Sequence, residues 1–326
     1  TIATIDAVAD ISTNPNLTTI DVYSVMSGAS AIFSPNQAQA AIRLADTTAI
    51  AKVKVSASED ISHLTLDGDI SEIFVAPHAI ATLSADQATK IVTLADGTAV
   101  AKVKVTTSTD LSILKLDSDI SEIQVGAGST GSLSANKATK TIVLSDSTAF
   151  AKVKVDTSTD LSAFNFDSDS SGFDIAAGAT ATLSAGQATK IVNLADNSAL
   201  AKVKVVATSD LSPLSIDNNI SEIQIGAGAV ATLSPSQATK IISLLDNSAF
   251  AKVKVSTTTD LSALLLDNDI SGILVSAGAT ATLSVTQATK NITLADNTAF
   301  AKVKVATTVD LSALNLDNDI SSFDVA

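Results

Sequence analysis

Cysteine is absent from the 326-residue sequence. That excludes disulfides, thiolate metal sites and a cysteine nucleophile. Tryptophan is absent too, and aromatic residues make up only 3%. The apolar material is Ala, Val, Ile and Leu, so the core is expected to be thin and layered, which suits stacked coils better than a thick globule. No apolar run approaches the roughly 20 residues of a membrane span. Basic residues are few, 20 against 34 acidic ones, for a net charge of −14. Such a balance repels nucleic acid and anionic membrane surfaces, and it favours solubility and attraction of cations. There are two histidines, His63 and His78, both in one stretch. Neither recurs in phase, so both read as surface variation. No signal peptide opens the sequence and residue 1 is Thr. It therefore reads as a processed or excised piece of something larger.

What is present is repetition. Ala-Lys-Val-Lys-Val occurs at 51–55, 101–105, 151–155, 201–205, 251–255 and 301–305, always 50 residues apart. Alternation puts Val53 and Val55 on one face and Lys52 and Lys54 on the other, the pattern of a half-buried strand. A fixed period of this length signals a repeat array. The expected organisation is one continuous array over 1–326, with units 1–50, 51–100, 101–150, 151–200, 201–250, 251–300 and a half unit 301–326. The first unit diverges most: Thr1–Ile5 keeps the alternation without lysines, and Tyr23, Met26 and Arg43 are the only residues of their kinds. End units of arrays often differ in this way. A solenoid cut within its seventh unit exposes an apolar edge, to be covered by another chain, further residues or a neighbour in a filament.

Within unit 251–300 the spacing predicts a strand at 251–255. A short helical turn capped by Thr259-Asp260 follows and covers Leu261, Leu264 and Leu265. Next come a turn at Asn268-Asp269, a strand at 270–275, a turn through Gly278 and an extended piece at 280–283. Ser284…Gln287, like Ser84…Gln87, Ser184…Gln187 and Ser234…Gln237, has the spacing of a capping box. It predicts a short helix whose stripe, in unit 51–100, is Ala88, Ile91, Val92 and Ala95. Sliding 251–269 onto 279–297 suggests two unequal coils per unit, of 28 and 22 residues. The expected fold is thus a β-rich repeat solenoid of about 6.5 units, with stacked parallel strands and short helices or turns, like a leucine-rich repeat or a β-helix. An all-β solenoid without helices is the alternative.

Candidate chemistry is sparse. Asp67/Asp69, Asp117/Asp119, Asp167/Asp169, Asp267/Asp269 and Asp317/Asp319 place two carboxylates two residues apart in a turn, with Asp217/Asn219 in the remaining unit. Such pairs can converge on calcium with backbone carbonyls. Asp is equally a good turn residue whose side chain bonds the backbone two residues on. The lysine pairs form a cationic stripe, suited to pairing with carboxylates of an adjacent chain or to discouraging edge pairing. Thr180-Ala-Thr182 and Thr280-Ala-Thr282 are similar to ice-binding arrays, but Ser30, Ile80 and Val230 break the row. No nucleophile–base pair, phosphate loop or catalytic cluster is visible, so no enzyme is expected.

The segments 70–75 (Ile-Ser-Glu-Ile-x-Val), 81–88 (Ala-Thr-Leu-Ser-Ala-x-Gln-Ala) and 99–103, with their copies, resemble repeats of large bacterial surface and secreted proteins, the type I secreted, RTX-associated adhesins. The resemblance covers most of the chain. The Gly-Gly-x-Gly-x-Asp nonapeptide of the calcium β-roll is missing. The resemblance implies an extracellular or cell-surface bacterial protein without enzymatic activity: a subunit or segment of a filament, sheath or adhesin stalk that associates with its own copies head to tail or laterally. The alternative is an adhesin module that binds calcium or a surface glycan.

Overall fold

The computed structural model describes residues 1–17, 19–306 and 309–325. The last residue of the predicted half unit, 326, lies outside them. The chain is a β-rich parallel solenoid of two compact units, residues 1–154 with 165–171 and residues 155–164 with 172–326.

In the first unit Ile50–Val55 pairs in parallel with Ser30–Phe33 on one side and Ile70–Val75 on the other, and the latter pairs with Ile91–Leu94. Val100–Val105 lies in a different sheet, between Ile80–Leu83 and Ile120–Val125, which pairs with Thr141–Leu144. The chain thus crosses from one sheet to the other about every ten residues and returns one rung further along. The second unit repeats the plan. Leu200–Val205 stands between Thr180–Leu183 and Ile220–Ile225, and Phe250–Val255 between Val230–Leu233 and Ile270–Val275.

Paired residues such as Thr82 and Lys102, or Lys102 and Glu122, are 20 apart. One turn is therefore about 20 residues, and a 50-residue unit runs about two and a half turns. The expectation of coils of 28 and 22 residues is corrected accordingly. Because the coil has two similar sheets, the same strand sequence fits either one, and the sequence recurs after a half-integral number of turns.

The alternation foreseen in Ala-Lys-Val-Lys-Val holds. Ala101 and Val103 are fully buried and Val105 nearly so, with Lys102 and Lys104 between them on the outer face. Burial of each such Val, Ile or Leu stabilises by about 1.5–3 kcal/mol. A register shift recurs at the start of the units beginning at 51, 101, 201, 251 and 301, as between Ala101 and Lys102. There the Ser121 hydroxyl donates to the Ala101 carbonyl at 3.2 Å, and Ser71, Ser221 and Ser271 do the same for Ala51, Ala201 and Ala251. Ser thus satisfies a carbonyl that the irregular ladder leaves over.

The helices do not form. Among the described residues helical structure is limited to three-residue 3-10 turns such as Gln87–Thr89. Ile91–Leu94 is a strand with Val92 3% and Ile91 58% exposed. Alternation wins over helical spacing because the strand completes the ladder begun by Ile70–Val75. Thr259–Asp260 is likewise a two-residue strand paired with Ala281 and Thr282, and it leads into a turn that buries Leu261 and leaves Leu265 89% exposed. The turn at Gly278 is confirmed, with φ of 72° there and similar values at Gly28, Gly128, Gly178 and Gly228. His78 occupies the same position at φ 61°, in the left-handed region that Gly enters without penalty.

Candidate functional site

The polar residues that recur are engaged within the fold. Ser84 and Gln87 form the expected reciprocal bonds: the Gln87 side-chain oxygen accepts from Ser84 N–H at 2.9 Å, and Ser84 Oγ accepts from Gln87 N–H at 3.2 Å. The pair caps one 3-10 turn rather than a helix. The Gln87 amide nitrogen also donates to the carbonyls of Ile61 and Leu64, both at 2.9 Å. Gln37, Gln187, Gln237 and Gln287 repeat the arrangement on the loop that lies 23 to 26 residues earlier, and all are buried. This staple between turns escapes a local reading of the sequence. Its one signal is a Gln held at the same phase in five units.

Unit 101–150 departs from it. Lys137 stands in the Gln position and donates to the Ser112 carbonyl at 2.8 Å. An ammonium has no acceptor for the Ser134 N–H. Burial pushes the Lys137 pKa below the ordinary lysine value, against the pull of Asp110.

Much of the lysine stripe is neutralised by the chain itself. Lys54 reaches Asp10 at 2.8 Å, Lys104 reaches Asp60 at 2.6 Å and Lys154 reaches Asp110 at 2.8 Å. In the second unit Lys204 pairs with Asp160, Lys254 with Asp210 and Lys304 with Asp260. The partners in such a pair are 44 residues apart in sequence. Lys52, Lys102 and Lys202 pair with Glu72, Glu122 and Glu222 on the neighbouring rung. Hydrogen bonds from Lys204 and Ser162 hold Asp160 at about 2, against a small opposing effect of burial. At Asp60 burial acts upward, but the bonds from Lys104 and Ser62 outweigh it and the carboxyl lies below its ordinary value.

The Asp-x-Asp pairs adopt the turn role. Asp67 Oδ1 accepts from Asp69 N–H at 2.9 Å. The same bond runs from Asp119 N–H to Asp117, from Asp169 N–H to Asp167, from Asn219 N–H to Asp217, from Asp269 N–H to Asp267 and from Asp319 N–H to Asp317. The two members of a pair are therefore not equivalent. The first, Asp67, Asp117, Asp167, Asp267 or Asp317, is half-buried and spends a carboxylate oxygen on the turn. The second, Asp69, Asp119, Asp169, Asp269 or Asp319, gives the turn its backbone N–H and is exposed. Among the described residues no three or more His, Cys, Asp or Glu side chains come together as a metal group. Each pair thus makes the side-chain-to-backbone bond of a turn, which engages one oxygen of the first carboxylate; calcium at Asp69, Asp119, Asp169, Asp269 and Asp319 with their partners stays a proposal.

A lysine one turn later joins the loop. Lys90, Lys240 and Lys290 Nζ each lie 2.5 Å from a carbonyl, of Ile70, Ile220 and Ile270 respectively, and Lys140 reaches that of Ile120. Lys240 and Lys290 also reach the carbonyls of Asn218 and Asn268, and Asp267 and Asp269 act electrostatically on Lys290. The turn's carbonyls thus already face a cation that the chain supplies.

Alongside these loops run polar grooves. One of about 640 Å³ is lined by Ser212–Ile216 and Ser234–Lys240, and its counterparts at Ser62–Lys90 and Ser262–Lys290 measure about 410 and 430 Å³. His63 lines one of them.

Fold and polar network together define a parallel β-solenoid repeat protein. No family model, curated protein or solved structure matches the chain.

Proposed function

We propose that the protein is a non-enzymatic structural segment of an extracellular bacterial filament, sheath or adhesin stalk, and that it associates with its own copies. One observation carries this reading. The side chains that recur with the 50-residue period, namely the Lys–Asp pairs, the Gln staples and the Asp turns, bind one turn of the chain to another or shape the loops between them. Such an array extends a surface by repetition and distributes load over many equivalent turns. The extracellular setting rests on the resemblance carried by 70–75, 81–88 and 99–103 and their copies.

Single-chain force spectroscopy tests the load-bearing part. Discrete unfolding peaks, each releasing whole repeats, are the expected result. Smooth extension without peaks would overturn it. Immunogold labelling of the source cells tests the setting, and label confined to the cytoplasm would refute it. Calcium enters as a comparison: a melting temperature that rises on adding calcium would favour the calcium-binding adhesin module instead.

A further inference from the structure

The surface departs from its own pattern in unit 251–300 and at the end of the unit before it, and the departures complement each other. The residue before each Ala-Lys-Val-Lys-Val is always large and apolar: Ile50, Val100, Phe150, Leu200, Phe250 and Phe300. It points outward nonetheless, with Phe250 43% and Phe300 45% exposed. Three of the nine phenylalanines stand at this one position. These side chains lie outside the core, and an exposed aromatic marks a contact surface where other apolar side chains extend it into a contiguous patch.

Around Phe250 the patch is extended. Val230 is its neighbour on the adjoining rung, and Leu274 lies outward beside Lys254. Glycine stands at 272 where three other units have a glutamate, so Lys252 faces no carboxylate. Among the described residues Lys252 has no ion-pair partner, unlike Lys52, Lys102 and Lys202. The patch is therefore apolar with one uncompensated cation.

The same unit carries the opposite feature. Leu265, at the tip of its loop, is 89% exposed, the highest value of any large apolar side chain among the described residues. Its counterparts are Thr65, Lys115, Asn165, Ser215 and Asn315. Asp267 and the exposed Asp269 flank it. This loop is apolar with adjoining carboxylates.

We infer that the 264–269 loop of one copy docks on the Val230–Phe250–Lys252–Leu274 face of a second copy, with Leu265 against Phe250 and Asp269 against Lys252. The inference rests on the structural reading above and adds the surface through which copies meet. The two surfaces differ, so the contact is heterologous and propagates into a chain of copies unless its rotation closes a ring.

Sedimentation velocity of the full chain from micromolar to millimolar concentration tests this. Concentration-dependent association is expected, and Leu265→Ser and Lys252→Glu should each abolish it with the melting temperature unchanged. The double variant Lys252→Glu/Asp269→Lys, which reverses both charges, should restore association. A wild-type chain that stays monomeric overturns the docking surface. So does association that survives both single variants, or a double variant that fails to regain it. The force measurement is made on single chains and is unaffected by any of these results.

Discussion

At the scale of the residue, one buried glutamine satisfies several backbone groups at once. Gln187 accepts from Ser184 N–H and donates to the carbonyls of Leu161 and Phe164. Replacing it by Ala removes all three bonds, and a buried group left unsatisfied costs about 1–3 kcal/mol, although the Leu161 carbonyl keeps the Phe164 N–H as a donor. We expect Gln187→Ala to lower the unfolding free energy by at least that of one such group in urea titration. An unchanged midpoint would show that water substitutes. Lys137→Gln is the reverse experiment. It supplies the acceptor that Ser134 N–H lacks and removes a partly buried ammonium, so it should stabilise the chain by about 1 kcal/mol, read from the same titration.

At the scale of the element, the outward faces of the strands are held by ion pairs whose individual worth is small, about 0–1 kcal/mol when exposed. Their number matters more. Asp160 lies at about 2 in the fold, below the ordinary aspartate value of about 3.9. A depressed carboxyl contributes stability that is fully present above the unfolded value and is lost as pH falls through the folded one. Asp10, Asp60, Asp110 and Asp210 are shifted in the same direction. The melting temperature should therefore fall between about pH 4 and pH 2, and Asp160→Asn should make that fall shallower. A melting temperature flat across this window would contradict the ladder. The buried face is less forgiving. Val103→Asp places an unpaired charge at a fully buried position and should unfold the adjoining turns, seen as lost hydrogen-exchange protection in 80–125.

At the scale of the whole molecule, the relation of repeat to turn makes a sharp prediction. Removing residues 51–100 deletes a full sequence period, so each downstream strand enters the other sheet and meets equivalent neighbours, Ala101–Val105 taking the place of Ala51–Val55 beside Ser30–Phe33. That variant should fold and melt cooperatively. Removing 71–90 deletes a length close to one geometric turn but takes Gln87 and Lys90 with it. Its ladder could close, yet the carbonyls of Ile61 and Leu64 lose the bonds from the Gln87 amide. Circular dichroism melts of the two deletions should differ, with the shorter deletion the more damaging. Equal melting curves would mean that turn length alone governs the fold.

Much of this architecture is written locally. Alternation in Ala-Lys-Val-Lys-Val specifies a strand with its valines inside, Gly278 marks a left-handed turn, and Asp67 two residues before Asp69 marks a side-chain-to-backbone turn. These features depend on near neighbours, so the sequence by itself determined them, along with the repeat and the absence of a thick aromatic core. The tertiary structure alone decided the rest. Ser84 and Gln87 satisfy a helix start equally well as a single 3-10 turn, and the choice fell to Ile91–Leu94 because its ladder partner is Ile70–Val75. Spacing by two suits a cation site as well as a turn, and the bonds made by Asp119, Asp169 and Asp319 show the turn in use. The 20-residue turn was hidden within the 50-residue period, since two like sheets make half a turn equivalent to a whole one. The partners of Gln87 and Lys104, 26 and 44 residues away in sequence, became neighbours only when the turns stacked. Periodicity reports when a side chain's surroundings recur, and only the folded chain shows what those surroundings are.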